Sequence, residues 1–465
     1  MLFNSYEFIC LYLPITLVIY FFLNKKRLII PARLWLVISS LFFYSYWNPK
    51  YLPLLLGTIL FNFYVGKVLS TCLYSNLYKK SILIFGICAN VGLLGYFKYT
   101  DFLLENYNFV FSYDVAPQHI ILPLAISYFT FQQIAYLVDS YQGRTSEHNL
   151  LNYSLFVSFF PQLIMGPITH HKEIISQFGK PFKTRINYNH IALGLFIFSI
   201  GFAKKILLAD SLIGYGHAAF NEAQQLTMME AWYAALSYTL AYYFDLSGYA
   251  DMAIGLGKMF NINIPINFNS PYKARNFADY WSRWHITLSR FLTWYVYVPL
   301  GGNKKGHYRS YINIMLTFLV SGIWHGAGWT FIVWGIINGI FVVIAQFMKN
   351  LNLQLNLYVA WFLTFLGVII VRIFFVSHNI SDAFYVTYTL FDINALILAD
   401  LPHANLYYQT PFLIIGLFIT LFFKNSNEMA QNFKPNLKYA AYTSILLIAS
   451  MITLSENVEF LYFQF

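Results

Sequence analysis

The sequence predicts an all-α polytopic membrane protein, with about 11–13 transmembrane or re-entrant helices around a central channel and short interfacial helices. Three observations predict it. First, the 465 residues are 58% hydrophobic and only 10% charged, where a soluble domain carries about a quarter charged residues. Second, apolar stretches of about twenty residues recur from end to end, each long enough to cross roughly 30 Å of hydrocarbon as a helix. Third, these stretches are continuously apolar, without the two-residue alternation of an outer-membrane barrel strand. The formal charge of +10 sits in short clusters between apolar runs, which marks orientation in a bilayer and excludes nucleic acid as the partner.

In chain order, membrane runs fall at 7 to 23, 34 to 47, 52 to 69, 81 to 97, 119 to 138, 150 to 165, 190 to 209 and 231 to 256. After a polar and aromatic interval come 311 to 325, 328 to 348, 356 to 376, 383 to 399, 410 to 423 and 438 to 454. Several are too short to span alone, and Pro123, Pro161 and Pro167 predict broken or re-entrant pieces. No interval is long enough for a soluble core, so the chain reads as one membrane domain over 1–465. Its core is expected at 119–348, with peripheral helices at 1–100 and 356–465. The start lacks the basic region of a cleaved leader, and Lys25, Lys26 and Arg27 follow the first run; the first helix is expected to be retained with its amino end outside the cytoplasm. Cys10, Cys72 and Cys88 are scattered and imply neither disulfides nor a metal site.

Lysine and arginine dominate 258 to 310, which holds Lys258, Lys273, Arg275, Arg283, Arg290, Lys304, Lys305 and Arg309 against the single acid Asp279. That interval should face the cytoplasm. Its Trp281, Trp284, His285 and Trp294 add an amphipathic character suited to short helices lying on the surface, a platform for an anionic donor such as coenzyme A or a phosphopantetheine arm. From Tyr311 the chain re-enters the membrane and reaches His325, a depth at which an ionisable side chain is expensive and marks function. Ser321, Gly322, Gly326, Ala327 and Gly328 are small neighbours that let helices or substrate approach closely.

Asp245, Ser247, Asp251 and Asp210 are further polar groups at or beside membrane depth. Bracing a lysine or arginine in the bundle is the favoured reading of these acids, and a Ser-His-Asp triad from Ser247, His325 and Asp245 is the rival, unsupported by a nucleophile elbow. Lys204 and Lys205 read as a cytoplasmic topology signal, and Asn267 and Asn269 as turn caps. The remaining histidines show no ligand spacing, so no metal is expected.

Ordered blocks along most of the chain resemble the membrane-bound O-acyltransferases, in particular the bacterial branch that O-acetylates alginate and peptidoglycan. They run from Phe3 to Phe8, Leu122 to Gln132, Phe159 to Ile168, Gly201 to Lys205 with Asp210, Tyr243 to Gly255 and Asn267 to Tyr272. The most diagnostic are Trp281-Ser282-Arg283-Trp284-His285-Ile286-Thr287-Leu288-Ser289 and Gly322-Ile323-Trp324-His325-Gly326-Ala327. The resemblance implies His325 as catalytic residue and His285 as its partner, with Trp324 and Trp284 lining the channel; Arg283, Asn269, Tyr249, Asp245 and Ser247 are candidates for channel or donor contacts. Two blocks depart from the family pattern. Thr293-Trp294 stands where relatives carry an Arg-Asp pair, and Thr169-His170-His171 where an arginine or small polar residues are expected.

The expected activity is transfer of an acyl group, acetyl foremost, from a cytoplasmic thioester such as acetyl-CoA to hydroxyls of an extracytoplasmic polysaccharide, with no permanently bound cofactor. A neutral imidazole suits removal of the hydroxyl proton, and a nucleophilic histidine is the other possibility. The resemblance further implies a bacterial inner membrane and a separate periplasmic SGNH-type acetyltransferase or esterase-like partner. The alternative from another class is a flippase for a lipid-linked glycan or acyl carrier, in which His325 and Asp245 relay protons.

Overall fold

The computed structural model describes residues 1–71, 75–178, 185–394 and 404–454. Cys72, His403 and the end of the expected 383 to 399 run lie outside them. The described residues are helical and contain no strand, as a chain in lipid requires when every backbone group must find its partner within its own segment. Among the described residues, six helices are long and apolar enough to cross a membrane: Glu7–Lys25, Pro49–Thr71, Asn76–Phe111, Tyr188–Asn221, Trp329–Asn350 and Leu357–Val376. Ile29–Ser45, Gln409–Phe422 and Leu437–Ile452 are shorter apolar helices. The protein is thus a multi-pass membrane protein. The described residues fall into two compact units.

The first unit comprises Met1–Ser199, Tyr249–Pro265 and Lys434–Thr443. Its helices include α1 (Leu13–Lys25), α2 (Ile29–Ser45), α3 (Leu52–Thr71), α4 (Asn76–Phe111) and α5 (Ile126–Tyr141). Aromatic rings fill the core near the amino terminus: Phe3 stacks on Tyr249 with centroids 4.7 Å apart, and Tyr12 meets Phe160 edge-on at 5.3 Å. Polar side chains link α3, α4 and α5, with Asn90 donating to the Asn62 Oδ1 at 2.7 Å, Asn62 donating to Gln133, and Gln133 donating to Thr58 at 3.3 Å. Amides that pair across helices satisfy groups that lipid cannot. The expected run at 150 to 165 is broken at Phe159, between α6 (Leu150–Ser158) and α7 (Phe160–Leu163), with Pro161 in the first turn of α7; proline is tolerated there because that N–H has no intrahelical partner.

The second unit comprises Ile200–Gly248, Ile266–Phe433 and the chain from Ser444. A long helix, α8 (Met228–Met259), contributes its residues up to Gly248. Two short helices follow, α9 (Phe277–Arg283) and α10 (Ile286–Leu292), then α11 (His307–His325), α12 (Trp329–Asn350) and α13 (Leu357–Val376). The runs expected at 311 to 325 and 328 to 348 are α11 and α12 with four and three residues of adjustment in total. They cross on bare backbone. A Cβ on Gly335 would stand 2.6 Å from the Phe318 carbonyl oxygen, and one on Gly322 would collide with the Phe331 carbonyl, so only glycine permits this approach.

The structure corrects the expectation of a surface platform at 258 to 310. Trp281, Trp284, Leu288 and Phe291 are buried, and His285 is 3% exposed. The two short helices turn their aromatic faces into the protein, because tryptophan and phenylalanine release more free energy in a packed core than at an interface. Trp294 alone of the three tryptophans remains outside, at 51% exposure.

Candidate active site

His325 is the last residue of α11, and Gly326 leaves the helix in an extended conformation. A Cβ at Gly326 would overlap the Phe331 ring, so the exit needs a residue without a side chain. The imidazole is 4% exposed. Its Nδ1 lies 2.7 Å from the Ser321 carbonyl oxygen. A carbonyl only accepts, so Nδ1 carries the proton and donates it, which leaves the lone pair on Nε2. Three rings hold the imidazole edge-on: Trp334 at 4.7 Å, Trp324 at 4.8 Å and Phe375 at 5.6 Å between centroids.

His285 approaches the same tryptophan, its ring 6.1 Å from that of Trp324 and 6.2 Å from Phe268. It joins α9 to α10 with φ 45° and ψ 51°, a left-handed conformation uncommon outside glycine and sparsely adopted by histidine. Asn267 holds the junction: its carbonyl accepts from Ile286 N at 2.9 Å, and its side-chain Oδ1 accepts from the N–H and hydroxyl of Thr287 at 3.1 and 2.9 Å. The expected turn cap is therefore the cap of the helix that His285 begins. Burial pushes the His285 imidazole down to about 3, because the charged form loses its hydration.

Trp324 and Trp284 both line this cluster. The Trp284 ring stacks with Tyr242 at 5.9 Å and with Tyr280 at 5.7 Å, and meets Phe268 edge-on at 5.0 Å. Two residues that sequence reasoning missed complete it. Asn338 accepts from the Trp281 indole at 3.2 Å and donates to the Trp334 carbonyl at 2.8 Å, tying the first Trp-His segment to the wall of His325. Arg372, 5% exposed in α13, sets its guanidinium carbon 3.9 Å from the Tyr242 ring centre, 5.1 Å from Trp284 and 5.2 Å from Phe375. The signal for both was available: an amide at the middle of one apolar run and a lone cation inside another, the same anomaly that singled out His325.

The other expected site residues sit elsewhere. Arg283 pairs with Asp279 at 2.7 Å and donates to the Asn269 carbonyl at 3.4 Å, while the Asn269 side chain accepts from Asn425 at 2.9 Å; both pin the segment that leads to His285. Asp245 is fully buried with its carboxylate 2.7 Å from the Lys205 ammonium, which also meets Asp210 at 2.8 Å. Lys205 is 1% exposed, so this lysine is a buried ion-pair partner and not the surface topology signal expected from Lys204-Lys205. The bracing reading of Asp245 holds. A triad through Asp245 does not, since the Nδ1 proton of His325 goes to a backbone carbonyl. The buried Ser247 hydroxyl has no hydrogen-bond partner among the described residues. Tyr249 belongs to the first unit, packed on Phe3.

Both departures from the family pattern have local explanations. His171 is held by Glu147 at 3.2 Å and Thr145 at 2.9 Å, and Thr169 donates to Gln162 at 2.9 Å. Thr293 donates to the Ser289 carbonyl at 2.8 Å in a single π-turn, Thr293–Tyr297. Among the described residues, no three histidine, cysteine, aspartate or glutamate side chains gather as metal ligands.

Comparison with known proteins adds to this geometry. Residues 64–387 match the sequence model of the membrane-bound O-acyltransferase family. The chain is 42% identical to a peptidoglycan O-acetyltransferase of Helicobacter pylori, over all of this chain and 98% of that protein. It is 35% identical to a probable alginate O-acetylase of Pseudomonas aeruginosa, over 91% of this chain and 81% of that one. A teichoic acid D-alanyltransferase of Bacillus subtilis shares 26% identity over 51% of this chain and 62% of its own length.

Proposed function

Because this chain belongs to the membrane-bound O-acyltransferase family, we propose that it moves an acetyl group from a cytoplasmic thioester, acetyl-CoA or another, to hydroxyls of an extracytoplasmic polysaccharide, with His325 as the general base. That the protein is an O-acyltransferase replaces the flippase alternative. The acceptor class follows the names of its relatives, peptidoglycan for one and alginate for the other.

The observation that carries the role of His325 is the Nδ1–H donated to the Ser321 carbonyl. It leaves Nε2 as the lone-pair nitrogen in a water-poor aromatic cage, and general-base catalysis requires that pole. His285, neutral and separated from His325 by the Trp324 ring, shapes the channel beside it. The thioester supplies the activated acyl group, and the chain needs no permanent cofactor for that step. Trp284 and Trp324 line the route of the acyl group. A separate periplasmic SGNH-type protein completes delivery to the glycan, in a bacterial inner membrane that leaves the amino terminus of this chain on the periplasmic side.

The test is transfer of labelled acetyl from acetyl-CoA to glycan in proteoliposomes supplied with the periplasmic SGNH-type partner. His325→Ala should insert and purify like the wild type while transfer falls about a hundredfold or more, the scale of a lost general base. Transfer at the wild-type rate would remove His325 from the chemistry. Periplasmic access of a tag at the amino terminus checks orientation separately.

A further inference from the structure

We propose that Arg372 is the electrophilic catalyst of this site, the positive charge that takes up the negative charge on the acyl carbonyl oxygen. The inference rests on the general-base reading of His325.

Four observations converge on it. Arg372 is 5% exposed and makes no ion pair with a carboxylate among the described residues. Its Nε–H is buried without an acceptor among the described residues. Aromatic faces at 3.9, 5.1 and 5.2 Å stabilise the cation through their quadrupoles without neutralising it, as a carboxylate would. Finally, the Phe375 ring that meets the guanidinium also meets the His325 imidazole at 5.6 Å, and Trp284, whose ring also faces the guanidinium, directly precedes His285.

Buried arginines are ordinarily paired with an acid, and the rings of Tyr242, Trp284 and Phe375 that face this one are neutral. A guanidinium that keeps its full charge in a low-dielectric cage is preorganised for an anion that exists only during reaction. Acyl transfer makes such an anion. His325 Nε2 takes the acceptor hydroxyl proton as that oxygen bonds to the acyl carbon, and the carbonyl π pair moves onto the carbonyl oxygen beside Arg372. When the carbonyl re-forms, the carbon–sulfur bond breaks, and the thiolate takes the proton from the imidazolium and leaves as thiol. The charge that Arg372 meets is absent from the thioester and absent from the ester, so its effect belongs to kcat.

The experiment uses the full chain in proteoliposomes with acetyl-CoA as donor, and with its periplasmic SGNH-type partner and soluble peptidoglycan glycan fragments on the acceptor side, reading thiol release and labelled ester. Arg372→Met should lower kcat about a hundred- to a thousandfold, the scale of one lost oxyanion donor, with KM for acetyl-CoA changed less than about threefold. Arg372→Lys, which keeps the charge, should recover at least about a tenth of the wild-type kcat. Each variant is compared for monodispersity and thermal midpoint in detergent, and Arg372→Gln replaces the methionine variant if that one does not purify. A near-normal kcat in the uncharged variant overturns the proposal. So does a raised KM with kcat intact, which would make Arg372 an anchor for a ground-state anion, or a lysine variant as inactive as the uncharged one. The base reading fails separately: it falls if His325→Ala transfers normally in the same vesicles, whatever Arg372 does.

Discussion

An imidazole acts as a base only through the nitrogen that holds its lone pair, and at position 325 the helix backbone decides which nitrogen that is. The second histidine has a different assignment. His285 is held neutral by burial, down to about 3, whereas an unfolded histidine titrates near 6.5. Between those values the unfolded chain binds a proton that the native site refuses, so stability falls as pH drops through this window. Thermal midpoints in detergent from pH 7 to pH 4 should therefore fall less in His285→Asn than in the wild type; asparagine also tolerates the left-handed backbone. Equal slopes in the two proteins would place the imidazole in contact with water. The two Trp-His blocks were legible in the sequence because each breaks an apolar pattern at a costly point. Arg372 breaks it in the same manner, yet its significance lies in the rings of Tyr242 and Trp284, partners distant in sequence that no local spacing announces.

At the scale of elements, α11 and α12 were legible because both the apolar run and its glycines are local features. Their crossing makes a sharp prediction. Gly335→Ala forces a methyl against the Phe318 carbonyl at 2.6 Å, backbone that cannot rotate away, and should destabilise the protein by about 1–3 kcal/mol as an overpacked core does. Gly57→Ala in α3, where nothing lies within 4 Å, is the control, and its thermal midpoint should not fall. The short helices α9 and α10 were legible as amphipathic pieces but not in their placement. A basic, tryptophan-rich segment suits a membrane surface as well as a protein core; the choice is made by Asn267, Asn269 and Asn425, whose hydrogen bonds fix the segment by contacts distant in sequence. Asn267→Ala removes the cap at His285 and should lower stability by about 1 kcal/mol, seen as a lower thermal midpoint.

At the scale of the molecule, composition alone established a chain that lives in lipid, since hydrophobic content and charge are sums that need no partner to be known. Ion pairing is the opposite case. Lys205 looked like a surface residue beside Lys204, and only the fold brings Asp210 and Asp245 to it. Lys205→Met leaves two carboxylates buried against each other and should destabilise by about 3–5 kcal/mol. Lys204→Met, at a half-buried position over the Tyr243 ring, should change the midpoint little. Comparable losses in both would mean that the lysine pair acts through membrane orientation.

The carbonyl that fixes the proton of His325 belongs to Ser321, one helical turn earlier, and it is main chain. No side-chain substitution at that position deletes the acceptor. The protonation pattern of this imidazole is thus inherited with the helix itself, whatever side chains come to surround it.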